Sequence, residues 1–116
     1  MRLQNLKTWP GFVFKEIPKD KIICVENAND GQALKTIQTL KPDVIIVNGT
    51  GILRKDLIQN SPLMINIHTG ITPQYRGVHG GYWARINADA ENCGVTLHQI
   101  DTGVDTGRVF VQKKID

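Results

Sequence analysis

Two short runs of consecutive apolar residues constrain the fold of this chain more than any other feature. In Lys21–Val25 and in Asp43–Val47, every residue after the first is apolar and most are β-branched. A strand without alternation is typical of a parallel sheet that helices cover on both faces. Leu63–His68 is a third such segment, although it ends in polar residues. These runs predict an α/β chain built on an open, mostly parallel sheet.

Helical patterns separate and follow these strands. Asn29 or Asp30 can cap a helix that ends near Leu40, because short polar side chains accept hydrogen bonds from the first N–H groups of a helix. Further helices are predicted over Leu53–Asn60 and Gly81–Ala88. The first helix and the strands on either side of it would form a parallel βαβ unit.

The last third of the chain alternates between apolar and polar residues. Gly94–Ile100 and Arg108–Ile115 are therefore predicted strands, and Asp101–Gly107 between them is a turn-rich loop. Thr69–Gly81 is a second loop rich in glycine and proline. Residues 1–20 are weakly patterned, and no repeat or linker interrupts the sequence. We expect one domain over residues 1–116.

Composition excludes several classes of function. The 116 residues are 41% hydrophobic and 22% charged, with a net charge of +3, which is typical of a globular domain. No basic stripe indicates nucleic acid, and no apolar run approaches the roughly 20 residues of a membrane span. Met1–Pro10 lacks the apolar stretch of a signal peptide. Cys24 and Cys93 lie far apart, so we expect reduced thiols and a cytoplasmic location.

Polar side chains at strand ends are the candidates for chemistry. Asn66 and His68 lie two residues apart, so they share one face of their strand. Asp105 lies in a later glycine-rich loop and could join them. Taken alone, each feature also fits a plain structural purpose, either capping a strand end or forming a turn.

Other chemistries lack a local signature. His68, His79 and His98 show no HExxH spacing, so we expect no metal site. Ser61, the only serine, precedes a proline in a predicted turn, so we expect no covalent intermediate. The Asn48–Gly51 loop has neither a P-loop nor a GxGxxG pattern; it fits a tight turn or the close approach of a flat ligand equally well.

Three segments, in this order, resemble the folate-dependent formyltransferases. Val44–Leu53 resembles the strand and loop that hold the pterin in that family. Asn66–Gly77 is similar to the family's first signature, and Gly94–Gly107 is similar to the second, which carries the catalytic aspartate. The resemblance implies a Rossmann-like sheet and the transfer of a formyl group from 10-formyltetrahydrofolate to an amine.

The resemblance also implies roles for individual residues. Asn66 and a protonated His68 would donate hydrogen bonds to the formyl oxygen as negative charge develops on it. Asp105 would orient His68 and relay the proton of the amine through water. His98 would have a supporting structural part. Folate-binding positions are implied at Gly51, Ile52, Leu53, Asp101, Thr102, Gly103 and Val104. Acceptor-binding positions are implied at Tyr75, Arg76, Gly77 and His79.

The acceptor is expected to be a small-molecule amine. Tyr75–Trp83 is most similar to family members that act on amino sugars or on glycinamide ribonucleotide, so an amino sugar nucleotide is the first expectation and glycinamide ribonucleotide the alternative. Methionyl-tRNA formyltransferases usually carry small residues and a proline where His79–Gly81 stand, and they have an additional carboxyl-terminal barrel.

The chain departs from the family in its extent. The family's catalytic domain has another strand and helix at its start, which help to bind the acceptor's phosphate, and it continues beyond Gln112. We therefore expect a partial catalytic domain, short at both ends: a fragment, a divergent short member of the family, or half of a site that a partner such as a second copy of the chain could complete. A folate-binding module without turnover and a purely structural fragment are the remaining hypotheses.

Overall fold

The computed structural model describes residues 15–115, and every structural statement below concerns that part of the chain. Most of the weakly patterned segment 1–20, including the first ten residues, lies outside it. The described strands, in chain order, are β1 Val44–Val47, β2 Leu63–His68, β3 Gly94–Gln99 and β4 Val109–Lys114. The α-helices are α1 Gly31–Leu40, α2 Lys55–Gln59 and α3 Gly80–Ile86. Single 3₁₀ turns cover Lys19–Lys21 and Ala90–Asn92.

The four strands form one open sheet in the order β1–β2–β3–β4. The predicted open α/β architecture is confirmed, but the described sheet is mixed and not mostly parallel. β1 and β2 are parallel, with Val44 opposite Leu63, and α2 provides the crossover between them. β3 is antiparallel to both β2 and β4. The alternating pattern of the last two strands fits this arrangement, because antiparallel strands tolerate one solvated face.

The predicted strand at Lys21–Val25 is wrong. Its residues after the 3₁₀ turn form no ladder within the described chain, and Ile22 and Ile23 are 51% and 56% exposed. A run of β-branched residues favours an extended backbone, but a strand also needs a neighbour to pair its N–H and C=O groups. The predicted βαβ unit around α1 is therefore not formed among residues 15–115, where the parallel unit is β1–α2–β2.

The predicted helices are present, with shifted ends. Asp30 caps α1, since its Oδ1 accepts a hydrogen bond from the Ala33 N–H at 2.8 Å. Lys41 ends the same helix in the left-handed conformation, with φ +47°. Ala88, at φ +53°, stands just beyond the end of α3. α2 begins later than predicted, because the backbone before it is bonded to Asn29.

Cover of the sheet by helices is incomplete in the described chain. Ile46 in β1 is 56% exposed and Val111 in β4 is 55% exposed. Register shifts by one residue between β3 and β4, where Leu97 faces Val111 but His98 faces Val109. Phe110 is the extra residue of this bulge, a feature that bends a strand locally. No helix among residues 15–115 is long and apolar enough to cross a membrane.

A buried hydroxyl fastens the Thr69–Gly81 loop to the sheet. Thr96 in β3 has no exposed surface. Its Oγ1 donates to the Gly70 carbonyl at 2.7 Å and accepts from the Thr72 N–H at 3.2 Å. The Gln112 side-chain amide of β4 donates to the same hydroxyl at 3.2 Å and to the Thr72 carbonyl at 2.7 Å. One side chain thus satisfies polar groups from the loop and from β4.

We expect Thr96→Val to lower the free energy of unfolding by about 1–3 kcal/mol, because it leaves buried polar partners unsatisfied at nearly constant volume. Thr39→Val is the matched control, since the Thr39 hydroxyl is exposed and bonds only the Lys35 carbonyl of its own helix. Its effect should stay within about 0.5 kcal/mol. Urea unfolding of both variants measures the difference; equal effects would contradict the fastening role of Thr96.

Candidate active site

A cavity of about 310 Å³ opens beside the carboxyl ends of β1 and β2. Because these strands are parallel, the loops that follow them start at the same edge of the sheet, where open α/β folds bind ligands. Residues from the loop before β4 line the same space. The lining residues are Val47, Asn48, Gly49, Thr50, Gly51, Ile52, Leu53, Asn66, Ile67, His68, Thr69, Gly77, Val78, His98, Ile100, Asp101, Gly103, Val104 and Asp105.

Strand register brings the polar side chains of this cavity together. Asn66 and His68 share one face of β2, as their spacing predicts. Asn66 lies opposite His98 across the antiparallel pair, and His68 lies opposite Thr96. Side chains of directly opposed residues point to the same side of a sheet. The floor of the cavity therefore carries an amide and two imidazoles.

The Asp105 carboxylate joins these groups. Its Oδ2 accepts from the Gly77 N–H at 2.7 Å and lies 3.4 Å from His68 Nδ1. Its Oδ1 lies 3.2 Å from His98 Nε2 and accepts from Asn66 Nδ2 at 3.3 Å. The Asp105 side chain is only 13% exposed, so these partners replace most of its water. The structure thus brings the predicted trio Asn66, His68 and Asp105 to one point.

Both nitrogens of His68 face oxygen atoms. Nδ1 faces Asp105, and Nε2 lies 2.6 Å from the Tyr75 carbonyl oxygen. Carbonyl and carboxylate oxygens only accept hydrogen bonds, whereas a neutral imidazole has a single N–H. The pairing of His68 is therefore complete only in the doubly protonated, charged form.

His98 differs from His68 in its surroundings. Its Nδ1 faces the Gln99 carbonyl at 2.8 Å. Its Nε2 lies between a donor, Asn66 Nδ2 at 3.3 Å, and an acceptor, the Asp105 carboxylate. His98 Nε2 therefore finds a partner whether it donates to Asp105 or accepts from Asn66.

Two loops form the walls beside this floor. Residues 51–53 and residues 101, 103 and 104, which were predicted to bind folate, all line the cavity, whereas Thr102 of the same loop does not. The Asn29 side chain holds the first loop: its amide donates to the Ile52 carbonyl at 2.9 Å and its oxygen accepts from the Arg54 N–H at 2.7 Å. The binding roles of these residues stay predictions.

The residues predicted to bind the acceptor divide into two groups. Gly77 lines the cavity, and Tyr75 touches the site through its carbonyl oxygen. Arg76 and His79 are exposed and lie outside the cavity lining. His79 instead stands just before α3, at φ +61°. Their roles in binding an acceptor also stay predictions.

Two contacts of the site were not foreseen. His98 was expected to have a supporting part only, yet its Nε2 lies as near to Asp105 as His68 does. Pairing β3 against β2 with Asn66 opposite His98 would have revealed it. The other contact is the Gly77 N–H. Because nearly every residue has a main-chain N–H, the sequence does not indicate which one will bond to Asp105. Within residues 15–115, no group of three His, Cys, Asp or Glu side chains is arranged to hold a metal ion.

Comparison with known proteins adds a family match. The sequence profile described as "Formyl transferase" matches residues 5–116, nearly the whole chain. Methionyl-tRNA formyltransferase of Anaeromyxobacter sp. (strain K) is 37% identical over 93 residues, which cover 78% of this chain and 30% of the relative. The chain therefore spans about a third of the length of that relative.

Solved structures of similar fold belong to other members of the family. Phosphoribosylglycinamide formyltransferase from Streptococcus pneumoniae is 30% identical, with a TM-score of 0.63 over 72% of this chain and 47% of the other. A sugar N-formyltransferase from a Shewanella species shares the fold, with a TM-score of 0.65 at 24% identity over 78% of this chain and 35% of the other.

We expect Gly70→Ala to disturb the floor of the site. A Cβ at this position would lie 2.6 Å from the Tyr75 carbonyl oxygen and 2.8 Å from His68 Nε2. The backbone and His68 would have to shift to make room for the methyl group, which should lower the free energy of unfolding by about 1–3 kcal/mol. Gly31→Ala is the control: a Cβ there would meet nothing within 4 Å, and alanine at the first position of α1 should not lower stability and should raise it by less than about 1 kcal/mol. Chemical denaturation measures both, and a Gly70→Ala protein as stable as the wild type would contradict the close packing.

Proposed function

This chain belongs to the formyl transferase family, and we propose that it transfers a formyl group from 10-formyltetrahydrofolate to the amine of a small acceptor. The observation that carries the proposal is the convergence of Asn66, His68 and Asp105 on one cavity. These residues come from the two segments that resemble the family's signatures.

The cavity suits a flat, polar heteroaromatic group such as a pterin. Gly49, Gly51, Gly77 and Gly103 are among its lining residues, and they present main-chain groups without side chains in the way. Val47, Leu53 and Ile100 add apolar surface. Ligand pockets typically combine apolar walls with a few convergent polar groups, at volumes of roughly 300–1,000 Å³. The observed volume of about 310 Å³ matches the lower end of that range.

Attack of an amine on a formyl carbon places negative charge on the formyl oxygen. Asn66 Nδ2 carries two hydrogens; Asp105 accepts one, and the other, which has His98 Nε2 at 3.3 Å, can be shared with a substrate oxygen. His68 can supply a second donor if its Nε2–H is shared between the Tyr75 carbonyl, which keeps the ring in place, and the formyl oxygen in the cavity. Fixed donors of this kind are the largest single contribution in many acyl transfers.

Asp105 completes the proposed mechanism. Its carboxylate lies 3.4 Å from His68 Nδ1, where it orients the imidazole. The attacking amine must also lose a proton, and the 13% exposure of the Asp105 side chain leaves room for a water molecule to pass that proton on. Collapse of the tetrahedral intermediate then breaks the bond between the formyl carbon and the folate nitrogen, which takes up the relayed proton and leaves as tetrahydrofolate. The mechanism needs no covalent bond to the protein.

For the acceptor we propose the amine of an amino sugar nucleotide. The residues of Tyr75–Trp83 support this choice by their similarity to formyltransferases of amino sugars. Glycinamide ribonucleotide is the second candidate, favoured by the 30% identity to the Streptococcus pneumoniae enzyme named above. A methionyl-tRNA acceptor is the third arm of the test, because curated relatives carry that name.

We expect Asn66→Ala to lower kcat by about 10²–10³-fold, the usual effect of losing one donor to a developing oxyanion. Asn60→Ala is the control, because Asn60 is exposed and its side chain bonds only the Asp56 carbonyl. Steady-state rates of tetrahydrofolate release measure both variants. If Asn66→Ala keeps more than a tenth of the wild-type kcat, the proposed role of Asn66 is wrong.

A panel of amines tests the activity itself. We expect the whole chain with 10-formyltetrahydrofolate to formylate an amino sugar nucleotide faster than glycinamide ribonucleotide or methionyl-tRNA, with product measured by mass spectrometry. A faster reaction with either alternative would replace the proposed acceptor. Calorimetric binding of the folate without turnover of any amine would contradict enzymatic activity and support a binding module.

A further inference from the structure

Tyr75 is held at both ends. At one end its carbonyl oxygen lies 2.6 Å from His68 Nε2 in the cavity floor. At the other end its phenolic hydroxyl donates to Asp89 Oδ2 at 3.0 Å, beyond the carboxyl end of α3. Its N–H donates to the Ile71 carbonyl at 2.9 Å, which closes a turn in the loop. The residue thus links the candidate catalytic histidine to a carboxylate outside the cavity.

Asp89 is itself fixed to the fold. Its N–H donates to the Ala84 carbonyl of α3 at 2.8 Å. Its carboxylate accepts from Asn92 Nδ2 at 3.1 and 2.9 Å. These bonds from Asn92, and then the Tyr75 hydroxyl, hold the pKa of Asp89 below its usual value against the opposing effect of burial. Asp89 therefore remains an ionised acceptor throughout the neutral range.

The Tyr75 carbonyl also has little freedom to move. A Cβ on Gly70 would lie 2.6 Å from its oxygen, and a Cβ on Gly80 would lie 2.7 Å from it. Two glycines therefore pack against the oxygen that faces His68. The Tyr75 hydroxyl is bonded to Asp89 as well. The Tyr75 carbonyl is therefore fixed in both its direction and its distance from His68.

We propose that Tyr75, anchored by Asp89, is a positioning residue for His68 and does not act by binding the acceptor through its ring. The carbonyl holds the Nε2–H and sets the plane of the imidazole, while Asp105 holds Nδ1. Removing the phenolic hydroxyl frees the loop at its far end, so the carbonyl no longer holds the ring in one orientation. The inference rests on the proposed function, in which His68 is the group that acts on the substrate.

Tyr75→Phe and Asp89→Ala test the anchor from its two sides. Each should lower kcat roughly 10-fold, the size of one lost hydrogen bond, while KM for 10-formyltetrahydrofolate changes less than about 2-fold. The double variant should be no slower than Asp89→Ala, because that change already removes the Tyr75–Asp89 contact together with the two Asn92 bonds. Asp89→Asn keeps an acceptor oxygen and should restore most of kcat. Tyr82→Phe, the same change at an exposed tyrosine, should leave kcat unchanged.

A spectroscopic readout separates positioning from general stability. In ¹H–¹⁵N spectra of the histidine side chains, Tyr75→Phe should shift the His68 Nε2 signal, whereas Tyr82→Phe should leave it in place. An unchanged kcat in Tyr75→Phe would overturn the inference. So would a double variant whose loss of kcat equals the product of the two single losses. If the wild type formylates no amine, the proposed function fails, and an unshifted His68 signal in Tyr75→Phe would then overturn the positioning role independently.

Discussion

The carboxylate of Asp105 is the contact on which the rest of the site depends. Its two oxygens take donors from three different parts of the fold: Asn66 and His68 on β2, His98 on β3, and the Gly77 amide of the intervening loop. A nearly buried negative charge is costly unless several donors surround it. The same requirement that keeps Asp105 stable therefore draws the polar groups of the cavity to one place.

The mixed sheet brings the polar side chains around Asp105 close together. A parallel β1–β2 pair opens a ligand edge, and the antiparallel β3 beside it returns a histidine to face Asn66. The Thr69–Gly81 loop crosses this edge, and the buried Thr96 hydroxyl fastens it to the sheet. Membership of the formyl transferase family follows from the sequence profile. The described geometry adds that residues from both signature-like segments meet at one cavity.

Prediction from sequence succeeded where the determinants are local. The α1 helix has its cap and its apolar face within a dozen residues, and Leu63–His68 has its strand pattern and polar end within six. It failed at Lys21–Val25, because pairing depends on a neighbouring strand that no local pattern reports. The contact of His98 with Asp105 depends on cross-strand register, and the carbonyl of Tyr75 is a group that every residue possesses. Neither can be read from residue type.

The glycines of the cavity wall have a consequence for how pH acts on this site. Main-chain amides and carbonyls do not ionise, so contacts to Gly49, Gly51 and Gly103 stay the same from mildly acidic to alkaline solution. The floor of the same cavity is made of groups that gain and lose protons, His68, His98 and Asp105. The wall of the cavity thus presents groups that do not ionise, whereas the floor presents side chains that can. Contacts of a ligand with the wall should therefore vary less with pH than its contacts with the floor.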